Sequence, residues 1–153
     1  MKLGEALALR SQLQVKFQQL RERLKASAVV QEGEKPPENP KELLAELVST
    51  ADELERLIAL INKTNLATTL RDGTTTLTEA LARRDHLGWV QAAFHQIAET
   101  ASGAQARYGK AELRIVRTVD VVELRQRADD FAKERRELDA QIQEVNWQTE
   151  LIT

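Results

Sequence analysis

Apolar residues recur at alternating steps of three and four along four stretches of the chain, which is the spacing of helices with one apolar face. This spacing predicts helices at residues 3–26, 40–70, 77–101 and 121–150. In the first, second and fourth stretches the alternation is sustained, as in helices that pack side by side along a narrow seam. The predicted seams are Leu3, Ala6, Arg10, Leu13, Phe17, Leu20 and Leu24; Leu44, Leu47, Ala51, Leu54, Ile58, Ile61 and Asn65; and Val121, Leu124, Ala128, Phe131, Arg135, Leu138, Ile142 and Val145.

The residues between these stretches carry signals that begin helices or turn the chain. Asn39 is a preferred cap, and Pro40 after it suits the first helical position, where a missing N–H is harmless. The segments Thr76–Glu79 and Asp120–Glu123 have the spacing of a capping box, in which the first and fourth residues satisfy each other's backbone N–H. Asp72-Gly73 predicts a tight turn between the second and third helices.

Two short segments are typical of β-strands. Residues 28–31 are partly β-branched, and residues 112–118 alternate between apolar and polar side chains. Pairing of these segments would add a small two-stranded β appendage to the helices. The sequence therefore predicts a mainly α fold in which residues 1–153 form a single helical domain, a long-helix antiparallel four-helix bundle or coiled coil with that appendage.

Composition removes many chemistries from consideration. The chain has no cysteine and two histidines, so disulfides, thiol catalysis and cysteine-bound zinc or iron–sulfur centres are excluded. The formal net charge of −2 gives no global attraction to nucleic acid or to anionic lipid. No apolar run approaches the ~18 residues of a membrane span. We expect a cytoplasmic protein that binds neither nucleic acid nor membranes, since the first residues lack the apolar core of a signal peptide.

Motifs of known enzymes are absent from the sequence. The glycines are scattered, so no phosphate-binding loop forms, and no Gly-x-Ser-x-Gly elbow occurs. Neither histidine follows a glutamate by three residues, as the di-iron helical bundles require. We expect no catalytic residue, no metal and no cofactor, and hence a protein that is not an enzyme.

Polar residues at seam positions are the remaining candidates for a site. Arg10, Asn65, Arg84 and Arg135 lie at or beside positions where apolar residues are expected, and a buried charge is costly unless it is paired. On the same helix, Asp139 could pair with Arg135, and Asp85 with Arg84. These residues either fix the helix register, form a polar pocket or face water. The candidate polar pocket comprises Asn65, Arg84, Asp85, Arg117 and Asp120.

The length of the helices favours association. Helices of about 45 Å, at about 1.5 Å per residue, exceed the span of a small domain, so apolar surface should remain exposed. We expect a homo-oligomer, a dimer or a dimer-based assembly, with a further protein partner as an additional role. Trp147, a late aromatic, should pin the last helix into its own core or into a neighbouring subunit.

Several short blocks of the sequence resemble a known family. They are Gln31-Glu32-Gly33, Asn62-Lys63-Thr64-Asn65, Asp72-Gly73, the segment Leu77–Asp85, the segment Arg117–Val121 and Asn146-Trp147. On these blocks, which span nearly the whole chain, the protein resembles the septicolysin-like family of small, largely uncharacterised bacterial proteins. The resemblance implies a helical fold and a bacterial origin, and the family name implies a pore-forming cytolysin. It supplies no catalytic motif.

Two functions follow from these observations. The first is a non-enzymatic, oligomeric helical protein that self-associates through its long helices and has the polar pocket as a variant site. The alternative, which comes from the resemblance, is a pore-forming cytolysin.

Overall fold

Four long helices make up most of the protein. The computed structural model describes residues 1–104 and 115–153. The helices are α1 (Leu3–Ser27), α2 (Pro40–Ala67), α3 (Leu77–Ala104) and α4 (Val121–Gln148). The prediction of a mainly α fold with four helices is confirmed. Each helix begins at the predicted residue, whereas the ends differ from the predicted ends by up to three residues.

Side-chain caps explain why α2, α3 and α4 begin where they do. The Asn39 side chain accepts a hydrogen bond from Lys41 N at 3.0 Å, and Pro40 occupies the first position of α2. Thr76 and Glu79 form a reciprocal capping box, with Glu79 N donating to Thr76 Oγ1 at 3.2 Å and Thr76 N donating to Glu79 Oε2 at 2.8 Å. The backbone and side-chain hydrogen bonds from Thr76 lower the pKa of Glu79.

The chain forms two compact units. Unit 1 contains residues Met1–Thr68 and Val145–Thr153, and unit 2 contains residues Thr69–Glu144. Each unit is built on one pair of antiparallel helices, α1 with α2 in unit 1, and α3 with most of α4 in unit 2. The buried apolar side chains of unit 1 are Leu3, Ala6, Leu13, Leu20, Leu43, Leu57, Ile61 and Val145; those of unit 2 are Leu70, Leu77, Ala80, Leu87, Ala98, Val121, Ala128 and Ile142.

A seven-residue repeat governs the packing in unit 1. The buried positions of α1 include Ala6, Leu13, Leu20 and Ser27, and those of α2 include Leu43, Thr50, Leu57 and Thr64, each set spaced by seven residues. This is the repeat of a coiled coil, in which one narrow seam of each helix faces its partner. Lys16 pairs with Glu46 at 3.0 Å along one flank of that seam.

In unit 2, α3 packs against α4 around a pair of phenylalanine rings. Phe94 of α3 meets Phe131 of α4 edge to face, with ring centroids 5.4 Å apart. The Arg127 guanidinium lies over both rings, 4.9 Å from the Phe94 centroid and 5.8 Å from the Phe131 centroid. Arg83 pairs with Glu134 at 2.7 Å along the flank. Edge-to-face rings and a cation over a ring face are each attractive beyond the apolar area that they bury.

The C-terminal residues of unit 1 hold the ends of α1 and α2. Leu3 N donates to Thr149 O, and Leu151 N donates to Met1 O, both at 2.9 Å. Ile152 N donates to Thr64 Oγ1 at 3.0 Å, which ties the tail to α2. We call these contacts the terminal clasp. A hydrogen bond from Lys2 and a second from the terminal amine lower the pKa of Glu150 within the clasp.

The predicted β appendage is wrong. Among the described residues there is no strand, and the isolated bridges pair Lys2 with Glu150 and Thr69 with Thr76. Residues 28–31 follow α1 as an exposed loop, in which Val29 is 82% exposed. The strand predicted there rested on β-branched composition alone. Residues 112–114 of the second predicted strand lie outside the described residues, and residues 115–118 have no regular structure.

Trp147 packs within its own chain, against the start of α1. A Cβ added to Gly4 would lie 2.8 Å from Trp147 Cδ2, so the indole lies directly on the Gly4 backbone. The side chain stays 58% exposed beside this contact.

We expect Gly4→Ala to destabilise the protein by about 1–3 kcal/mol, because the new methyl group must displace the indole ring. Gly88→Ala is the matched control, since its Cβ would meet only the flexible Arg135 side chain, at 3.4 Å. Alanine is the better helix former, so this control should be more stable than wild type by roughly 0.5–1 kcal/mol. Urea unfolding measures both changes, and a Gly4→Ala variant as stable as wild type would contradict the close packing.

Asp72 stabilises the turn between α2 and α3. Its Oδ1 accepts hydrogen bonds from Thr74 N and Thr75 N, both at 2.9 Å, and its Oδ2 accepts one from Thr75 Oγ1 at 2.6 Å. The Thr75 hydroxyl and the two backbone N–H groups lower the pKa of Asp72 to about 2. Gly73 follows with φ of 70°, a conformation that glycine adopts without strain. The predicted turn at Asp72-Gly73 is confirmed.

The lowered pKa predicts how Asp72 affects stability at acid pH. The carboxylate stabilises the folded state at every pH above its unfolded pKa of about 3.9, and this contribution is lost as the pH falls through about 2. Asp72→Ala should therefore be less stable than wild type at pH 7, and the difference should shrink between pH 4 and pH 2. Asp72→Asn keeps one acceptor oxygen without the charge, so it should remove the pH dependence and be intermediate in stability between Asp72→Ala and wild type at pH 7. Thermal unfolding of the three proteins across this range tests it, and parallel curves would refute it.

Candidate functional site

The seam of α2 lies one residue away from part of the predicted seam. At predicted seam positions Ile61 is buried and Leu47 and Leu54 are half-buried, but the other buried positions are occupied by Leu43, Thr50, Leu57 and Thr64. The prediction had placed the neighbouring residues Leu44, Ala51, Ile58 and Asn65 there. The error has a physical cause, because two of the buried positions carry threonine, whereas the apolar neighbours Leu44, Ala51 and Ile58 are exposed or half-buried.

The displaced apolar residues form a second line along α2. Leu44, Val48, Ala51, Glu55, Ile58 and Asn62 follow steps of four and three, and we call them the outer stripe. Leu44 is 51% exposed and Val48 is 57% exposed, whereas Ala51 and Ile58 are half-buried. Steps of four and three are the spacing with which one helix packs against another. The outer stripe therefore has the spacing of a helix-packing face, and its residues Leu44 and Val48 remain exposed.

A groove adjoins the outer stripe on the side of α1. Phe17 of α1 lines it together with Leu54 of α2 and with Ala51 and Ile58 of the outer stripe. The groove has a volume of about 540 Å³. Ala59 and Asn62 continue its wall toward the C-terminal end of α2. Its lining is predominantly apolar, which suits an aliphatic side chain from a docking helix.

Charge is distributed unevenly along α2. Residues 40–55 contain Lys41 and five acidic side chains, a net charge of −4, and residues 56–67 contain Arg56 and Lys63, a net charge of +2. The outer stripe runs through both halves. Five of the charged residues, Glu42, Glu46, Glu53, Arg56 and Lys63, share the face of α2 opposite the outer stripe.

Arg84 is the centre of a small ionic group in unit 2. Its Nη1 lies 3.2 Å from Asp139 Oδ1, and its Nη2 lies 3.5 Å from Asp85 Oδ1. The predicted pairing of Arg84 with Asp85 is confirmed, whereas Asp139 pairs with Arg84 and not with Arg135. Arg84 Nε is buried without a hydrogen-bond partner, as is Arg10 Nε in unit 1.

The other two polar candidates of unit 2 lie at the opposite end of α3. Arg117 Nε donates to Ala101 O at 2.8 Å, which closes the last turns of α3. Asp120 Oδ1 accepts from Val122 N at 3.0 Å and from Glu123 N at 3.1 Å, so it is the N-cap of α4. Ala101 lies 17 residues beyond Arg84 on the same helix, about 25 Å at about 1.5 Å per residue. Arg84 and Arg117 therefore do not meet in one pocket.

Asn65, the remaining candidate, belongs to unit 1. It is half-buried near the end of α2 and continues the spacing of the outer stripe, seven residues after Ile58. The five polar candidates thus divide into an ionic pair, a helix cap, a contact to a helix end and a residue beside the outer stripe. The outer stripe itself was missed, although its spacing is visible in the sequence once two registers are considered for α2.

A second exposed feature lies on unit 2. Trp89 is 71% exposed, and with Asp85, Gly88 and Arg135 it lines a shallow groove of about 400 Å³. Arg135 makes no ion pair with any described residue, although it occupies a seam position. The absence of a side chain at Gly88 leaves room for the Arg135 guanidinium.

Within the described residues, no group of three or more His, Cys, Asp or Glu side chains is arranged to hold a metal ion. No helix among those residues is both long enough and apolar enough to span a bilayer.

Comparison with known proteins yields one family and one structure. The sequence model of DUF6847, described as a family of unknown function, matches residues 10–151. The crystal structure of a functionally unknown conserved protein from Corynebacterium diphtheriae is 41% identical in sequence and superposes with a TM-score of 0.92. That similarity covers 99% of each chain. No curated protein matches.

These comparisons correct the family expected from the sequence. The septicolysin-like resemblance is wrong, because the match over residues 10–151 is to DUF6847 and the similar crystal structure is that of a functionally unknown protein. The short blocks that suggested it, such as Asp72-Gly73 and the capping segment at the start of α3, are turn and cap signals that many helical proteins share. The cytolysin alternative depended on that resemblance.

The geometry of Arg84 predicts that replacing Arg84 and replacing its partner Asp139 change the free energy of unfolding by different amounts. We expect Arg84→Met to change stability by less than about 1 kcal/mol, because a partly exposed pair contributes little and the substitution removes a buried, unsatisfied nitrogen. Asp139→Asn should cost roughly 1 kcal/mol more, because it leaves the Arg84 charge half-buried with one fewer partner. The double variant should resemble Arg84→Met. Chemical denaturation measures all three, and a loss above about 2 kcal/mol for Arg84→Met would show that the pair is strongly stabilising.

Proposed function

We propose that this chain, which belongs to the DUF6847 family of unknown function, is a non-enzymatic protein that self-associates through its long helices. The observation that carries the proposal is the outer stripe of α2, which has the spacing of a helix–helix seam while its residues Leu44 and Val48 remain 51% and 57% exposed. The helices act in this proposal as an assembly surface, and the polar groups within them maintain the fold.

The exposure of the stripe supports association energetically. Completing the burial of a half-exposed Leu44 or Val48 is worth about 1 kcal/mol each, and a symmetric pair of chains gains each contribution twice. Association costs at least about 4 kcal/mol in lost translational and rotational freedom. The apolar gain is of the same size as this cost, so we expect a reversible dimer whose population depends on concentration.

The surroundings of the polar residues support the non-enzymatic part of the proposal. Asp120 is engaged in capping α4, Arg117 binds the end of α3, and Arg84 is shared between two carboxylates. Catalytic side chains converge on one place where a reacting atom can bind. These three residues instead perform separate structural tasks along unit 2.

Val48→Lys tests the proposal directly. A lysine in the outer stripe adds a charge that must be desolvated on association, so the dimer should weaken at least about tenfold. Val15→Lys is the matched control, since Val15 is 54% exposed on α1, close to the 57% of Val48, and lies outside the stripe. Sedimentation velocity combined with light scattering should show wild type and Val15→Lys approaching twice the 17.3 kDa of one chain as concentration rises.

Two results would contradict the proposal. Wild-type protein that stays at the mass of one chain up to about 0.5 mM would show that no association of useful strength occurs. Equal weakening by Val48→Lys and Val15→Lys would show that the stripe is not the surface responsible.

A further inference from the structure

We propose that the shallow groove of unit 2 lined by Trp89 and Arg135 binds a small organic anion that carries a planar ring. In this arrangement Arg135 holds the carboxylate or phosphate of the ligand, and Trp89 stacks on its ring. The groove lies entirely within unit 2 and shares no residue with the outer stripe. The inference therefore goes beyond the proposed function and does not depend on it.

The Arg135 guanidinium is available to a ligand because its neighbouring acids contact another arginine. Asp139, one helical turn further along α4, lies 3.2 Å from Arg84 Nη1. Asp85, which lines the groove, lies 3.5 Å from Arg84 Nη2. Arg135 makes no ion pair or hydrogen bond with any described residue. An arginine presents five N–H donors in a planar fork that matches an oxyanion, so these donors can bind one.

Gly88 makes space for this guanidinium. It lies in the interior of α3, where glycine is a poorer helix former than alanine. A Cβ built at Gly88 would lie 3.4 Å from Arg135 Nε and 3.7 Å from Arg135 Cζ, so the guanidinium lies close over the helix backbone. The helix is thus weakened at this residue to accommodate an arginine that forms no ion pair with the described residues. Departures from local preference that bring no structural gain are expected at functional sites.

Trp89 presents the apolar surface of the groove. Its side chain is 71% exposed, so the indole gains little from folding. The residues three and four positions after it, Ala92 and Ala93, are alanines, so no large side chain of α3 covers the indole from that direction. A planar ring stacks favourably on such an aromatic face. An exposed indole beside an unpaired guanidinium is therefore suited to a ligand with both a ring and a negative charge.

The remaining groups of the groove refine the chemistry of the ligand. The volume of about 400 Å³ lies within the range of small-molecule sites. The Gln91 amide and the Asp85 carboxylate flank the groove and can accept hydrogen bonds from an amino or hydroxyl group. The contact of Asp85 with Arg84 offsets its repulsion of an anion. We therefore expect a ligand whose ring carries a hydrogen-bond donor as well as the anionic group.

An arginine fork binds carboxylates and phosphates alike, so probes of both kinds are needed. The compounds p-aminobenzoate and adenosine monophosphate each combine an oxyanion, a planar ring and an amino group. Their uncharged counterparts, p-aminobenzamide and adenosine, keep the ring and lack the oxyanion. Acetate and inorganic phosphate keep the oxyanion and lack the ring.

The experiment uses the full chain labelled with fluorotryptophan, which gives one fluorine resonance for each of the two tryptophans. Trp147 belongs to unit 1 and is the internal control, and Trp147→Phe assigns the two resonances. Either anionic ring compound should shift the Trp89 resonance and leave the Trp147 resonance unchanged. The uncharged counterparts should bind at least about tenfold more weakly, because they lack the charge that Arg135 recognises.

Substitutions then locate the binding site. Arg135→Gln should weaken binding at least about tenfold, and it should fold as wild type does because the residue is exposed. Arg136→Gln is the matched control, since Arg136 is an exposed neighbour outside the groove and loses the same charge. Arg135→Lys keeps the charge without the planar fork and should be intermediate. Trp89→Leu should weaken binding at least about fivefold, measured from the proton signals of the probe by saturation transfer.

Each outcome decides the inference. A Trp89 shift that Arg135→Gln removes and Arg136→Gln retains supports it, and the probe that binds identifies carboxylate or phosphate as the anionic group. No Trp89 shift with either anionic ring compound up to about 10 mM overturns it. Equal weakening by the two glutamine variants, equal binding of the uncharged counterparts, or a shift of both tryptophan resonances also overturns it. Acetate or inorganic phosphate binding as tightly as the ring compounds shows that no ring is recognised and overturns it as well.

Discussion

The narrow seam of each helix is the constraint on which the rest of the structure depends. Residues spaced by seven bury one line of side chains per helix, and a 28-residue helix such as α2 is about 42 Å long at about 1.5 Å per residue. Such a line stabilises a pair of helices along its length but covers little of each helix's circumference. The ends and flanks must then be secured by other interactions. The capping side chains, the flanking ion pairs and the terminal clasp of unit 1 perform these tasks.

Local features of the fold could be predicted from the sequence, whereas contacts between residues far apart in the chain could not. The starts of the helices were predicted because caps such as Asn39 and Thr76 act within three or four residues. The terminal clasp joins residues at opposite ends of the chain, and no local signal in Lys2 or Thr149 announces the contact. The predicted strands failed because β-branched composition, as at Val29, describes a preference that needs a partner strand to be realised.

The register of α2 also depends on contacts that the sequence does not reveal. Sequence reasoning identified the apolar residues of α2 but assigned them to one seam, because a seam filled with leucine is preferred over one that contains Thr50 and Thr64. The structure buries the threonines, and the Thr64 hydroxyl donates to Leu60 O and accepts from Ile152 N. These two hydrogen bonds satisfy the buried hydroxyl of Thr64. The register that buries Thr64 leaves Leu44 exposed and Ile58 half-buried.

The two faces of α2 are energetically connected. Leu47 and Leu54 are only half-buried by the seam with α1, and Leu54 also forms part of the groove beside the outer stripe. A second helix on the outer stripe would complete their burial, so association would stabilise unit 1 as well as the dimer. Binding of a partner to the folded state alone stabilises that state by mass action. The unpartnered Arg10 Nε within the seam lowers the stability of the isolated unit. Under the proposed self-association, burial of Leu44 and Val48 by a second copy would offset this loss and stabilise the folded chain.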